Sequence, residues 1–186
     1  MFVHLRLHSE FSVVDGTIRL DEVVEAAAAD GQPALGLTDL SNLFGAIKFY
    51  KAARGAGVKP VLGAEVFVHG LGPDVAPGAS VQQQSLPRML LLVQSHQGYL
   101  NLCELLSRAW TRNMLRDQAA IKWEWLQELS EGLILLSGAH SGPVGLALLA
   151  GDEARAAELA QQLAATFPQR FYLELQRAGR LDDERQ

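Results

Sequence analysis

The chain has 186 residues, of which 48% are hydrophobic and 20% are charged. This composition is that of a globular protein and excludes a disordered chain. The formal charge of −5 argues against a strongly basic nucleic-acid-binding surface, although it is compatible with a domain that accompanies a DNA-binding one. No signal peptide or membrane span is recognisable, so the sequence predicts a cytoplasmic protein with no membrane partner.

Strand-like and helical patterns alternate along the chain, beginning with the strand-like stretch from Phe2 that runs into a polar loop ending at Gly16. Further strands are predicted at 34–37, 58–68, 88–94, 132–136 and 171–175, and helices at 20–30, 43–54, 98–110, 123–129, 144–149 and 152–165. The polar stretches 69–86 and 111–120 are predicted loops. This alternation predicts a parallel or mixed α/β barrel or sheet. A strand so close to the last residue suggests a fragment whose open edge the parent protein covers.

Imidazole and carboxylate groups follow several predicted strands. Such groups, converging from successive strand ends, can bind a divalent ion and activate a water molecule. The candidates are His8, Asp15, Asp39, Glu65 and, less securely, His140. Each has an ordinary structural alternative, because a loop histidine is commonly only hydrogen-bonded and Asp39 could cap the following helix.

Arg6 opposes a metal site. Residues two apart on a strand point the same way, so Arg6 and His8 should face one interior together. A fixed cation there would repel a divalent metal. Arg6 could instead replace the metal by bridging Asp39 and Glu65, or it could be a solvated residue of an edge strand.

Two further features have structural interpretations. Cys103, the single cysteine, excludes an internal disulfide and a cysteine zinc cluster, and its apolar surroundings predict a buried core residue. Tryptophans interleaved with arginines could stack on nucleic acid, but we favour half-buried anchors of short helices. The residues concerned are Trp110, Trp123 and Trp125 with Arg108, Arg112 and Arg116.

Several long segments together resemble the amino-terminal PHP domain of bacterial DNA polymerase III alpha subunits, most closely those of the replicative, proteobacterial type. The segments are HLRLHSEFSVVDG, ALGLTDLSNLFGAIKFYKAARGAGVKPVLGAEV, LLLVQSHQGYLNLCELLSRA, GLILLSG and FYLELQRAGR. They follow in order over nearly the whole chain. The resemblance implies a TIM-like but distorted seven-stranded βα barrel at 1–186, incomplete at its C-terminal end and lacking the palm, fingers, clamp-binding and DNA-binding domains.

Metal-competent members of this family carry ligands that the chain has partly lost. His8, Asp39 and Glu65 match ligand positions and would form a vestigial metal site. The remaining ligand positions that the chain covers carry Arg6, Leu40, Arg88 and Ala139. The resemblance therefore implies no cofactor and no catalytic residue in this domain, with Mg²⁺ confined to the absent polymerase domain.

The resemblance also implies a role and alternatives to it. In the first reading, the domain is a scaffold that docks the proofreading exonuclease (epsilon) subunit, while other holoenzyme subunits and DNA bind through absent domains. The parent protein would be a DNA-directed DNA polymerase, a nucleotidyltransferase of DNA replication. One alternative is a phosphoesterase or proofreading nuclease that binds Zn²⁺ or Mn²⁺ through His8, Asp39 and Glu65, with help from His140 or water. Another is the error-prone alpha-like subunit of mutagenic repair.

Overall fold

The computed structural model describes residues 2–71, 86–115 and 117–176, which form a mixed α/β fold. The helices are α1 Leu20–Ala29, α2 Ala46–Gly55, α3 His96–Arg112, α4 Trp123–Glu128, α5 Pro143–Leu149 and α6 Glu153–Thr166. The strands are β1 Ala34–Leu37, β2 Lys59–His69, β3 Arg88–Val93, β4 Met114–Leu115, β5 Gln118–Lys122, β6 Leu133–Leu136 and β7 Phe171–Tyr172. The predicted α/β fold class is confirmed. Most of the predicted loop at 69–86 lies outside the described residues.

The strands form one sheet in which the long strand β2 is central. Its first half pairs in parallel with β1, its middle pairs antiparallel with β3, and its last residues pair in parallel with β5. β3 continues the sheet antiparallel to β6, which pairs in parallel with β7. The antiparallel position of β3 makes the sheet mixed, which is one of the arrangements that the sequence predicted.

The opening stretch follows β1 without becoming a regular strand, so the prediction of a strand there was wrong in part. The amide of Gly36 donates to the carbonyl of His4 (2.7 Å), and the amide of Thr38 donates to the carbonyl of Leu7 (2.9 Å). The return bond from the Leu7 amide goes to the hydroxyl of Thr38 rather than to a backbone carbonyl (2.9 Å). Because a side-chain hydroxyl takes the place of a backbone carbonyl, the regular ladder of backbone hydrogen bonds is interrupted here, although the stretch remains alongside β1.

The predicted surface loop at 111–120 was also wrong, because it contains a hairpin. β4 and β5 pair antiparallel around a turn in which Asp117 has a φ of 64°. The polar composition of the stretch concealed the short apolar run Ala119–Ile121, which is buried. β7 differs too, since it ends at Tyr172 rather than at residue 175.

The sheet has apolar side chains on both faces, as strands covered on two sides do. Alternate residues of β2 and β3, including Val66 and Leu91, belong to the main core with the apolar stripes of α3 and α6. A second cluster lies under α1 and α2 and includes Phe49. The intervening residues of β2 and β3, among them Glu65 and Arg88, project to the opposite face because side chains alternate along a strand.

Cys103 is half-buried, so the prediction of a fully buried residue was wrong. The buried stripe of α3 runs through Leu102, Leu105, Leu106 and Ala109. Cys103 follows Leu102 by one residue, a rotation of about 100° around the helix, which moves it to the margin of that stripe.

Candidate functional site

Glu65 is the centre of a cluster of charged side chains on the face of β2 that points away from α3. It lies in the middle of the strand and is only 2% exposed. Its Oε1 accepts a hydrogen bond from Nη1 of Arg6. Its Oε2 lies 2.9 Å from Nε2 of His8 and 3.8 Å from Nη1 of Arg88. Arg6 and His8 therefore do face one interior together, as the spacing of two residues predicted.

Arg6 has a second carboxylate partner, Glu174, which lies just beyond β7. Nε of Arg6 donates to Oε1 of Glu174 (2.7 Å), and Nη2 donates to Oε2 (2.8 Å). This is the bidentate fork geometry that guanidinium and carboxylate groups adopt in strong ion pairs. The expectation that Arg6 bridges two carboxylates is correct, but its second partner is Glu174 and not Asp39.

His8 and Arg88 extend the cluster to the loop after the opening stretch. Nδ1 of His8 lies 2.9 Å from Oδ1 of Asp15. The other carboxylate oxygen of Asp15 lies 3.6 Å from Nη1 of Arg88. The guanidinium of Arg88 also stacks over the ring of Phe67, 4.9 Å from its centroid. Each carboxylate of this cluster thus has a guanidinium partner, and a protonated His8 adds a second cation beside Glu65 and Asp15.

Asp39 stands apart from this network as a structural residue. Both of its oxygens accept hydrogen bonds from Ser9, one from the amide (2.6 Å) and one from the hydroxyl (2.9 Å). The side chain is almost fully buried, and this burial raises the pKa of Asp39 despite the bonds from Ser9. Asp39 fastens the opening loop to the end of β1, a role close to the capping alternative that its position suggested.

Electrostatics distinguish Glu65 from its neighbours. Burial opposes ionisation of its carboxyl group, but contacts with His8 and Arg6 outweigh that cost and lower the pKa of Glu65 to about 2. Burial likewise opposes the charged form of His8, and the carboxylates of Glu65 and Asp15 overcome it and raise the pKa of His8. The surroundings therefore favour the protonated imidazole of His8 and the ionised carboxylate of Glu65 at the same time.

The other positions singled out in the sequence have neutral or local roles. Leu40 forms a parallel bridge with Glu65, and its amide donates to the hydroxyl of Ser12 (3.1 Å). Ala139 is buried and begins the single-turn helix Ala139–Ser141 after β6. In that turn, Nε2 of His140 lies 3.1 Å from the hydroxyl of Ser141. Leu40 and Ala139 supply hydrocarbon where the resemblance expects ligands.

These residues do not fit a divalent metal. Across the part of the chain that the structure describes, no group of three or more His, Cys, Asp or Glu side chains is placed to hold a metal ion. Glu65 is the best potential ligand, but its carboxylate already contacts two guanidinium groups and an imidazole. A divalent ion would have to displace these cations, which breaks their favourable contacts with Glu65, or remain close to them, which Coulomb repulsion disfavours.

Sequence reasoning missed Glu174. It lies within the predicted strand 171–175, and an acidic residue in an otherwise apolar strand was the available signal, as it was for Glu65. Neither residue pattern nor spacing could assign Arg6 as its partner, because 168 positions separate them.

The prediction of half-buried tryptophans that anchor short helices is correct for Trp125 on α4, whereas Trp123 is fully buried and Trp110 lies on the long helix α3. Trp123 is buried in the main core, and Trp125 packs against that core with Arg108 and Lys122 over its ring. Trp110 is 49% exposed, but its indole donates to the carbonyl of Ser41 (2.7 Å). Arg116 lies outside the described residues. In that described part, helices long and apolar enough to cross a membrane are absent.

Comparisons with known proteins agree with the resemblance. The chain is 44% identical over 185 residues to a DNA polymerase III subunit alpha of Pseudomonas fluorescens, covering all of this chain and 15% of that protein. It is 42% identical over 183 residues to the same subunit of Escherichia coli K12, covering 98% of this chain and 15% of that protein. The chain thus spans about 15% of the length of these relatives.

A solved structure from Bifidobacterium adolescentis, assigned to the metal-dependent phosphoesterases, covers 57% of this chain and 32% of its own. Its TM-score of 0.41 and identity of 18% are too low to bear on function or fold. The family model of the PHP domain, in contrast, matches residues 4–178, nearly the entire chain. The chain therefore belongs to the PHP domain family.

Proposed function

We propose that this chain is the PHP domain of a DNA polymerase III alpha subunit and that it acts as a metal-free scaffold for the proofreading exonuclease (epsilon) subunit. Identities of 42% and 44% to subunits of that name support the first part. The role of the domain rests on its charged centre. The docking partner rests on the resemblance of the sequence to this family.

The observation that carries the scaffold proposal is the position of the Arg6 guanidinium between Glu65 and Glu174. A metal ion in that position would join carboxylates from distant parts of the chain, Glu65 on β2 and Glu174 beyond β7. The guanidinium joins them in the same way, but it is always protonated and cannot generate a hydroxide nucleophile from bound water. The centre is therefore suited to holding strands together rather than to hydrolysis.

In this proposal, the reaction of the parent protein takes place elsewhere. DNA-directed synthesis of DNA, with its Mg²⁺ ions, would belong to domains that this chain does not contain. Contacts with DNA and with the remaining holoenzyme subunits would also be made there. We propose a cytoplasmic location, as replication of a bacterial chromosome requires.

The competing proposals differ in measurable ways. A phosphoesterase that uses Zn²⁺ or Mn²⁺ would need His8 and Glu65 to exchange their present partners for the metal. An error-prone alpha-like subunit would share the PHP domain and differ in the rest of the polypeptide. Nothing in the arrangement around Arg6 favours either of them over the scaffold.

Elemental analysis tests the metal-free centre. The complete protein, dialysed against Zn²⁺ and then Mn²⁺, should retain no stoichiometric metal that depends on Glu65. Glu65→Ala is compared with Glu124→Ala, a matched substitution at an exposed position on α4. Bound metal that Glu65→Ala removes and Glu124→Ala leaves in place would refute a metal-free scaffold.

Titration with purified exonuclease subunit tests docking. The complete polypeptide should bind it in a saturable manner and without added Zn²⁺ or Mn²⁺. Absence of measurable binding would contradict the docking role while leaving the result on metal binding unaffected, so the two parts of the proposal can fail separately.

A further inference from the structure

The solvent-facing side of α2 carries a row of large apolar side chains. Ile47 and Tyr50 are exposed on the helix, and Phe44 lies in the turn that leads into it. The same interval of three residues separates each from the next, which is the spacing of neighbours on one side of a helix. Phe44 is 72% exposed and Ile47 is 69% exposed, while the opposite side of α2 already buries Phe49 in the second core cluster. Phe44, Ile47 and Tyr50 form the α2 stripe, on a side where helices of globular proteins normally carry polar residues.

The turn that presents Phe44 is held in place by hydrogen bonds. The amide of Phe44 donates to the side-chain oxygen of Asn42 (3.0 Å), and the side-chain amide of Asn42 donates to the carbonyl of Phe11 (3.1 Å). The half-exposed indole of Trp110 donates to the carbonyl of Ser41 and so lies beside the same turn. The apolar surface is therefore preformed, and a partner would not have to order it on binding.

The charge beside the α2 stripe is positive and only partly compensated. The helix carries Lys48, Lys51 and Arg54 and no acidic residue. Lys48 pairs with Glu10 (3.0 Å) and Asp21 (3.1 Å). Lys51 and Arg54 are exposed and form no ion pair with any residue that the structure describes. Each lies four positions after a member of the α2 stripe, so two uncompensated cations border its apolar side chains.

We infer that the α2 stripe is a docking surface for a polypeptide segment that carries apolar and acidic side chains. Grouped and exposed apolar side chains mark interaction surfaces, and the cations of Lys51 and Arg54 complement an acidic partner. This inference rests on the docking role proposed above and assigns the segment to the exonuclease subunit.

Single-stranded nucleic acid is the other occupant that aromatic and basic side chains could serve. A polypeptide is favoured because Ile47, in the middle of the α2 stripe, is aliphatic and offers no ring on which a base could stack. Nucleic acid also requires a series of cations along its phosphates, whereas Lys51 and Arg54 belong to a chain with a formal charge of −5.

Titration of the complete protein with purified exonuclease subunit tests the surface. Ile47→Glu places a carboxylate in the centre of the α2 stripe and should weaken binding by about tenfold or more. Leu100→Glu is the matched control, because Leu100 is half-exposed on α3, and it should bind like wild type. Thermal unfolding of both variants shows whether the fold is retained.

A charge reversal tests the role of the cations. Lys51→Glu should slow association about fivefold at low salt, and its difference from wild type should shrink in about 0.5 M salt, because salt screens exposed charges. Arg155→Glu, at an exposed position on α6, is the matched control and should leave the association rate unchanged.

The possible outcomes separate the surface from the docking role. Unchanged exonuclease affinity of Ile47→Glu would overturn the surface and leave the docking role standing, whereas absence of binding by wild type would contradict both. If Ile47→Glu unfolded at a lower temperature, Lys51→Glu would decide, and an association rate equal to that of wild type at low salt would overturn the surface.

Fluorescence anisotropy with a labelled oligothymidylate tests the other occupant. Weaker oligonucleotide binding by Ile47→Glu, with unchanged binding of the exonuclease subunit, would overturn the inference and assign the α2 stripe to nucleic acid. We expect Ile47→Glu to leave any oligonucleotide binding of the complete protein as it is in wild type.

Discussion

Nε2 of His8 lies 2.9 Å from Oε2 of Glu65, and this contact joins the opening stretch to the centre of β2. The same imidazole reaches Asp15 through Nδ1, so it lies between two carboxylates. In a metal site, a histidine in this position would be neutral and would offer a lone pair to the ion. Here its surroundings favour the protonated form, which is a consequence that can be tested.

The stability of the protein should fall as pH rises through the titration of His8. The pKa of His8 in the folded state is raised above its usual value of 6.5. The protonated imidazole therefore contributes stability that is fully present below about pH 6.5 and is lost as pH rises through the folded-state pKa. Urea unfolding between pH 5.5 and 9 should show this decline, and His8→Gln should flatten it. A matched substitution, His96→Gln at an exposed position, should retain the decline. If His8→Gln retained it as well, another group would be responsible.

Glu65 should control stability at acid pH with the opposite sign. Its pKa falls from 4.5 to about 2 on folding. Its carboxylate thus contributes stability that is present above about pH 4.5 and is lost as pH falls towards 2. Glu65→Gln should destabilise the protein by about 3 kcal/mol at pH 7, because it leaves the partly buried cations Arg6 and His8 without this carboxylate partner. The difference from wild type should shrink at pH 3.

Urea unfolding at pH 7 and pH 3 measures both effects. The exposed residue Glu124 provides the control Glu124→Gln, whose cost should be within about 0.5 kcal/mol at either pH. An equal cost of Glu65→Gln at the two pH values would show that shape, rather than charge, determines the role of Glu65.

The sequence predicted which residues form the charged centre better than it predicted their hydrogen-bond partners. Alternation of side chains along an extended chain placed Arg6 and His8 on one face. Glu65 was expected to converge with them from the end of a strand, but it lies in the middle of β2 and meets them there. Asp39 was assigned to the same group because it also follows a strand. Asp39 does not reach that group because the amide and the hydroxyl of Ser9 both donate to its carboxylate. The spacing of residues alone cannot distinguish an aspartate that is hydrogen-bonded to a neighbouring loop from one that joins other ligands at a shared site.

Other features depended on long-range pairing and were not predictable from local pattern. Glu174 acquires its role only when the segment after β7 comes close to Arg6, and no local pattern reports that. β5 was missed because its short apolar run lies in polar surroundings and is stabilised by pairing with the end of β2. Helices were predicted well, because their apolar spacing and end signals are local.

Asp39 should be required for stability and not for metal binding. Asp39→Ala removes both acceptors of Ser9, so the buried amide of Ser9 loses its partner and its hydroxyl keeps only the bond that it accepts from the amide of Phe11 (3.2 Å). We expect a loss of about 2 kcal/mol in the free energy of unfolding. The exposed residue Asp30, which accepts from Gln32 (3.0 Å), provides the control Asp30→Ala, with a much smaller effect. Isothermal titration with Mn²⁺ should not distinguish Asp39→Ala from wild type, and a metal affinity that depended on Asp39 would restore it to the ligand set.

β2 and β3 lie so close together at Gly63, beside the charged centre, that no side chain should be tolerated at this position. A Cβ atom there would lie 2.3 Å from the carbonyl oxygen of Leu91, and this is backbone that cannot rotate away. Gly63→Ala should therefore cost about 2 to 3 kcal/mol, since β2 and β3 must separate locally. A Cβ atom added to Gly55, at the end of α2, would meet nothing within 4 Å, and Gly55→Ala should be neutral or stabilising by about 0.5 kcal/mol. Thermal and urea unfolding compare the two variants. Separation of β2 from β3 would also move Glu65 away from Arg88. Gly63→Ala should therefore reduce the loss of protein stability between pH 7 and pH 3 that the Glu65 carboxylate causes, whereas Gly55→Ala should leave that loss unchanged.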